Sequence, residues 1–317
     1  MSALFYAILA ALSNVFGTWL FALVARGIAA GYFFLFPWRA ATSARFYRVL
    51  FAGRNRFYGW WCAWLQFQNF TTVFLDRHLL RDSGAITYTF QGREHLIQAV
   101  EQGQGGILLM SHMGNWEVAA RLLRKMIPQL RLMIFMGRRD KEQIERLQKV
   151  DLAESGIRIL VADQDAETPF ALVEGASFLQ DGGFVSMPGD VVLRPDQRVV
   201  AVRFLGHTVR LPEAPFMLAL LTGAPLYIFF ASRRGLGQHH FSVSGPMVLA
   251  AEKRDQRRTA VLKAAQGYAD LLEDQVRRNP LEWYHFEPFL GPMAGPEFSS
   301  SGSGQTVSKT RRIAPEI

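Results

Sequence analysis

The sequence predicts an α/β fold in which a mixed central sheet is flanked by helices and preceded by an apolar helix suited to anchoring in a membrane. Two observations predict the sheet. Short runs of branched and aromatic residues recur from residue 86 onward, and segments with helical spacing separate most of them, an order that gives parallel or mixed sheets with helices on their faces. A third observation predicts the anchor: residues 3–25 carry no charged side chain.

Taken in order, residues 3–25 reach about 30 Å as a helix, roughly one hydrocarbon core. No basic segment precedes the run and it ends in Arg26, which favours an uncleaved anchor over a signal peptide, with the arginines that follow on the cytoplasmic side. Residues 27–38 are too short to span and end in Pro37-Trp38-Arg39, as a helix lying in the interface would. The alternative is that both pieces are core helices of a soluble domain. Residues 45–80 read as helix, with Phe57, Trp60, Trp61, Trp64, Phe67, Phe70 and Phe74 at helical spacing. Strands follow at 86–90, 106–111, 132–136, 157–161 and 184–187. Helices lie between them at 93–102, 116–126, 140–155 and 170–180, several stopped by glycine (Gly103, Gly156, Gly182-Gly183). Residues 199–204 and 207–211 suit a hairpin around Gly206. A helix at 214–222, a strand at 226–231 and a long helix at 254–278 complete the order. The chain divides into an anchor and interfacial segment (1–40), one domain (41–292) and a Ser/Gly/Pro-rich tail (293–317) whose composition predicts disorder.

The formal net charge is +8, which favours polyanionic partners: nucleic acid, anionic lipid or an acidic carrier protein. Its placement argues for an anionic membrane surface. No Asp or Glu precedes Asp76, whereas Arg26, Arg39, Arg45, Arg48, Arg54 and Arg56 are interleaved with aromatic residues. No zinc-finger spacing, basic zipper or aromatic RNA motif is present, so nucleic acid is not expected as a partner. The lone cysteine, Cys62, permits neither an internal disulfide nor a cysteine metal cage, and its apolar surroundings predict burial.

The chemistry concentrates at Ser111-His112-Met113-Gly114-Asn115-Trp116-Glu117. An imidazole after an apolar strand and a carboxylate in the first turn of the next helix form a general-base pair if Glu117 reaches back to a ring nitrogen and fixes the tautomer. The amides near Gly114 and Asn115 would lie at a helix N-terminus, where an oxyanion or phosphate is favoured. On spacing alone a capping histidine and a solvated glutamate fit as well. No serine-hydrolase elbow, Walker loop or dinucleotide fingerprint competes. His239-His240 lacks a partner at metal-ligand spacing and reads as a surface loop, so no metal is expected. His207 reads as structural, and His285 as packed.

The segment resembles the HX4D/E motif of the glycerolipid and lipid A acyltransferases. Residues 172–190, LVEGASFLQDGGFVSMPGD, are similar to the block of the lipid A late acyltransferases in which a helix, a double glycine and a strand lead to Gly-Asp. Phe204-Leu205-Gly206, Pro212 and the run from Leu218 to Thr222-Gly223-Ala224-Pro225 resemble the next block. Pro280, Trp283 and Phe286 match the closing P-x-x-W-x-x-F. The resemblance, over about residues 1–290, implies a single glycerolipid-acyltransferase-like domain on the cytoplasmic face of a bacterial inner membrane. It implies acyl transfer from acyl carrier protein or acyl-CoA, as a co-substrate with no other cofactor, to a hydroxyl of a membrane (glyco)lipid. His112 would be the base and Glu117 its partner. Gly114, Asn115, Arg138, Arg139, Asp190 and Arg194 would bind substrate. Where many relatives carry Arg after the Gly-Asp, this chain has Val191, with Arg194 or Arg198 in reach to replace it. That departure leaves a non-catalytic lipid-binding or assembly role as an alternative, and a lipid hydrolase would use the same base.

Overall fold

The computed structural model describes residues 9, 11–13, 15–80, 86–137, 152–153, 155–162, 168–194 and 196–295. Three helices come first: α1 (Thr18–Leu35), α2 (Pro37–Leu50) and α3 (Arg56–Leu79). Pro37 opens α2 at a position where a missing N–H costs nothing. Asn55 caps α3 by accepting from the Tyr58 N–H at 2.9 Å. The apolar run expected over 3–25 is not one helix. Gly17 interrupts it with φ 96° and ψ 161°, and α1 starts after the break, ending ten residues beyond Ala25.

The remaining elements alternate: β1 (Thr87–Gln91), α4 (Arg93–Glu101), β2 (Gly106–Met110), α5 (Trp116–Met126), β3 (Leu132–Gly137), β4 (Arg158–Ala162), α6 (Thr168–Gln180) and β5 (Phe184–Pro188). The hairpin β6 (Val199–Phe204) and β7 (His207–Pro212) follows, then α7 (Ala214–Thr222), β8 (Leu226–Gly235), β9 (Gln238–Met247) and α8 (Gln256–Arg278). Of the helix expected at 140–155 only residues 152, 153 and 155 are described, the first two helical, and the tail from 296 lies outside the described residues. Packing continues past residue 292, where the Ala294 N–H donates to the Gly206 carbonyl at 2.9 Å.

Seven strands form one sheet in the order β1-β9-β8-β2-β5-β3-β4, with β6 and β7 as a separate pair. From β8 to β4 all neighbours are parallel, while β8 and β9 are antiparallel and β1 runs parallel to β9. The mixed sheet is therefore as the sequence predicts, with one strand more. Residues 238–247 form β9, which takes in His239-His240 where a surface loop was expected. His239, Phe241 and Val243 are buried on one face of it, so the histidine sits in the core and not on a loop. One side of the sheet packs its Ile107, Leu109, Val185 and Ile228 against α7 and α8 residues Phe216, Tyr268 and Leu272. The other packs Leu108, Phe184 and Tyr227 with Leu96, Val118 and Leu123 from α4 and α5. Each buried Leu or Phe of this kind contributes about 1.5–3 kcal/mol relative to exposure, so the sheet is a rigid platform for whatever projects from its edge. Cys62 is buried as expected.

Candidate functional site

The strand register builds the site. β2 and β5 are parallel neighbours with Met110 opposite Pro188. Two residues beyond each, at the carboxyl edge where α/β sheets hold ligands, stand His112 and Asp190. His112 Nδ1 lies 2.9 Å from Asp190 Oδ1, and the His112 N–H donates to Asp190 Oδ2 at 2.7 Å. Trp283 Nε1–H donates to the same Oδ2 at 2.8 Å. Burial alone would raise the Asp190 pKa, but the His112 ring and the two hydrogen bonds from His112, with the His285 ring nearby, outweigh it and hold the carboxyl below its ordinary value. The aspartate is thus ionised and acceptor-only, which places the imidazole proton on Nδ1 and leaves Nε2 as the basic nitrogen of the neutral ring. The Asp190 side chain is wholly buried, while that of His112 is 40% exposed, so the ring presents itself to an incoming group and its partner does not.

Two expectations change here. Asp190 was expected to bind substrate, but it is buried, and both its oxygens are occupied by His112 and Trp283. Glu117 was expected to orient His112, but Nδ1 faces Asp190 instead. The Glu117 carboxylate accepts from Arg77 Nε and Nη2 at 3.0 and 2.6 Å and from Arg121 Nη2 at 2.8 Å. Glu117 and Arg77 are both buried, so the pair ties α3 to the first turn of α5.

A closing segment after α8 braces the turn that carries His112. Met113 bridges Trp283 in antiparallel fashion. The Gly114 N–H donates to the Glu282 carbonyl at 2.8 Å, and the Tyr284 N–H to the His112 carbonyl at 2.8 Å. The Gly114 amide is therefore already used and cannot serve an oxyanion, contrary to expectation. Gly114 itself has φ 61°, and a Cβ there would stand 2.4 Å from the Ala231 carbonyl oxygen, so the turn requires glycine. Asn115 caps α5 by accepting from the Val118 N–H at 3.3 Å and donates from Nδ2 to the Val73 carbonyl at 3.2 Å. Its side chain is structural, and of the two expected donors the Asn115 backbone N–H remains without an acceptor among the described residues.

Arg138 and Arg139 lie outside the described residues. Arg194 pairs with Asp196 at 3.0 Å and makes no contact with the His112–Asp190 pair among the described residues. Trp283 and the aspartate's role as partner were missed in the sequence. The register-matched Gly-Asp after β5 was the available signal.

Behind the turn sits a second polar group. Asp76 Oδ1 is 3.5 Å from Arg233 Nε and its Oδ2 is 3.6 Å from His239 Nε2. The Arg233 N–H donates to Glu282 Oε2 at 2.6 Å. Burial pushes Asp76 up to about 6 and Glu282 up to about 7, with Arg233 opposing both shifts. Burial, assisted by Arg233, pushes His239 down to about 4. No group of residues suited to a metal ion occurs among the described residues. A cleft opens between α2 and the closing segment, with Thr42, Arg45, Phe46, Trp283, His285 and Phe289 in its walls. The indole that bonds Asp190 is one of those walls, so the cleft lies one side chain from the dyad.

Comparison with known proteins gives a consistent picture. The sequence model of a family described as bacterial lipid A biosynthesis acyltransferase matches residues 69–290. A phosphatidylinositol mannoside acyltransferase of Mycobacterium tuberculosis is 26% identical over 201 residues, covering 62% of this chain and 58% of that protein. The protein of the same description from Mycolicibacterium smegmatis is 24% identical over 196 residues, covering 62% of this chain and 60% of that protein. The match thus spans less than two thirds of the length of these relatives.

Proposed function

The chain belongs to the bacterial lipid A biosynthesis acyltransferase family, and from that premise we propose that it moves a fatty acyl chain from a thioester donor to a hydroxyl of a membrane glycolipid, with His112 as general base. The observation that carries this reading is the ring of His112, half-exposed at the sheet edge, with Nδ1 held by an ionised, buried Asp190.

The acceptor hydroxyl gives its proton to His112 Nε2, and its oxygen forms a bond to the thioester carbonyl carbon. Asp190 stabilises the imidazolium so formed. The backbone N–H of Asn115, at the start of α5, is the donor we assign to the tetrahedral oxyanion. The carbon–sulfur bond then breaks, and the thiolate takes the proton from Nε2. The products are an ester and a free thiol, and the imidazole returns to its starting state. No step requires a metal.

We assign the acceptor to the glycolipids because the similar mycobacterial proteins are named for a phosphatidylinositol mannoside. Acyl carrier protein and acyl-CoA both supply the thioester this chemistry needs. The apolar walls of the cleft beside Trp283 suit an acyl chain. The reading also places the catalytic domain at the cytoplasmic face of an inner membrane, where acyl thioesters are made. Glu117, in this reading, supports the site through Arg77 and takes no part in the proton transfer. Purified protein given an acyl thioester and a glycolipid extract tests the proposal: a lipid heavier by one acyl chain supports it, and release of free fatty acid with no acylated lipid contradicts it.

A further inference from the structure

We infer that α1 lies in the plane of the bilayer, so that α1, α2 and α3 form a docking face for a single anionic leaflet and both ends of α1 stay on the side of the catalytic domain.

By length and apolarity alone α1 could cross a membrane, but the apolar run is not one helix. Gly17 breaks it, and Thr18–Leu35 that remains has 18 residues, about 27 Å at 1.5 Å each. Arg26 sits at the middle of that helix and is exposed. In a spanning helix this guanidinium would lie at the bilayer centre, where a charge is disfavoured. In an in-plane helix it reaches the head groups directly.

The packing of α1 leads to the same conclusion. α1 runs antiparallel along α3: Phe21 stacks on His78, while Phe33 meets Trp64 and Phe67 edge-on. α3 in turn is fastened to the catalytic domain along its length. Gln66 Nε2 donates to the Trp283 carbonyl at 2.6 Å, Tyr284 Oη–H donates to the Asn69 carbonyl at 3.3 Å, and Arg77 pairs with Glu117 at 2.6 Å. The length of α1 therefore lies over the domain. A bilayer crossed by α1 would have to take in the ions of Asp76, Arg77, Glu117 and Arg233 as well.

The outer surface fits one occupant, a lipid leaflet. Trp19, Leu23, Phe34, Trp38, Phe57 and Trp61 are exposed. Arg54 and Arg56 lie over the Tyr58 and Phe57 rings at 5.3 and 5.1 Å. No acidic residue precedes Asp76. Aromatic side chains with arginines and no acids match the interface of an anionic membrane.

The test uses the full chain, whose one native cysteine, Cys62, is buried. Ser2→Cys and, in a separate protein, Gln104→Cys on the exposed turn before β2 are exposed to a membrane-impermeant maleimide in intact spheroplasts and after lysis, with the unsubstituted chain as the blank. An in-plane α1 puts both reporters on the same side. Reporters on opposite sides overturn the proposal. Flotation of the purified chain with phosphatidylglycerol vesicles gives a second readout. The double variant Trp38→Ser/Trp61→Ser should bind several-fold less while keeping its far-ultraviolet circular dichroism. Unchanged flotation overturns the docking face, as does a dimer that the double variant dissolves without loss of vesicle binding, since a second copy of the chain would then be the occupant.

Discussion

Asp190 receives three donors while wholly buried, so removing its charge should be felt in catalysis more than in shape. Asp190→Asn keeps size and hydrogen-bonding capacity but no longer selects the Nδ1–H tautomer. It is expected to lower kcat by roughly 10²–10⁴-fold, the range for loss of general-base assistance, with a far-ultraviolet spectrum like that of the parent protein. Glu117→Gln is expected to behave in the opposite way. It leaves Arg77 buried with a weakened partner, a change that costs on the order of 3–5 kcal/mol when a buried pair is broken. Thermal unfolding should therefore fall, while the folded fraction keeps kcat within about tenfold. Equal loss of kcat in both variants would contradict the division of roles. Trp283→Phe removes one charge-assisted hydrogen bond, worth about 1.5–3 kcal/mol, and so raises the Asp190 pKa. The acid limb of the kcat–pH profile should move upward, and an unmoved limb would remove the indole from the site. His112 was legible in the sequence because a histidine directly after an apolar strand falls at the sheet edge. Its partner was not. Glu117 is five positions away in sequence, whereas Asp190 is 78 away and comes close only through the β2–β5 pairing.

At the scale of elements, the turn that carries His112 is clamped between β8 and the closing segment. Gly114→Ala is expected to displace that turn, because its Cβ would meet backbone atoms of Ala231 at 2.4 and 2.8 Å, which cannot yield as a side chain end would. Overpacking of this kind costs about 1–3 kcal/mol, and activity should fall further than stability. The clamp also titrates. The Glu282 carboxyl, raised by burial from 4.5 to about 7, keeps in the folded state a proton that the unfolded chain has lost. The stability it lends is full below 4.5 and is lost as pH rises through about 7. Glu282→Gln is therefore expected to gain thermal stability over the parent between pH 5 and pH 8, by a few degrees. A gain that is the same at both pH values would place the titration elsewhere. The strands and helices of the sheet were readable because strand-like runs and helical runs alternate with glycine stops. β9 was hidden because Gln238, two histidines, a glycine and a proline give it a polar composition. Its signal was the inward alternation of His239, Phe241 and Val243, with the neutral His239 ring stacked on Phe241.

At the scale of the molecule, a helical layer is attached to an α/β domain by buried polar contacts of α3, and the dyad lies directly beneath that attachment. Gln66, Asn115 and Arg77 all join α3 to the segments that hold His112 and Asp190. The proposed membrane seating and the geometry of the His112–Asp190 pair are thus mechanically joined, which suits the proposed acylation of a lipid drawn from a bilayer. The hydrophobic, acid-free start of the chain was plain in the sequence. Its break at Gly17 was not, since one glycine in an apolar run reads as tolerated helix and only the left-handed φ shows otherwise.

The measurement that bears most directly on this account is lipid mass spectrometry of matched reactions. Parent protein, His112→Ala and Asp190→Asn are each given an acyl thioester and a membrane glycolipid extract. A lipid heavier by one acyl chain is expected with the parent protein and is expected to be nearly absent with both variants. Acylation by His112→Ala at the parent rate would contradict it.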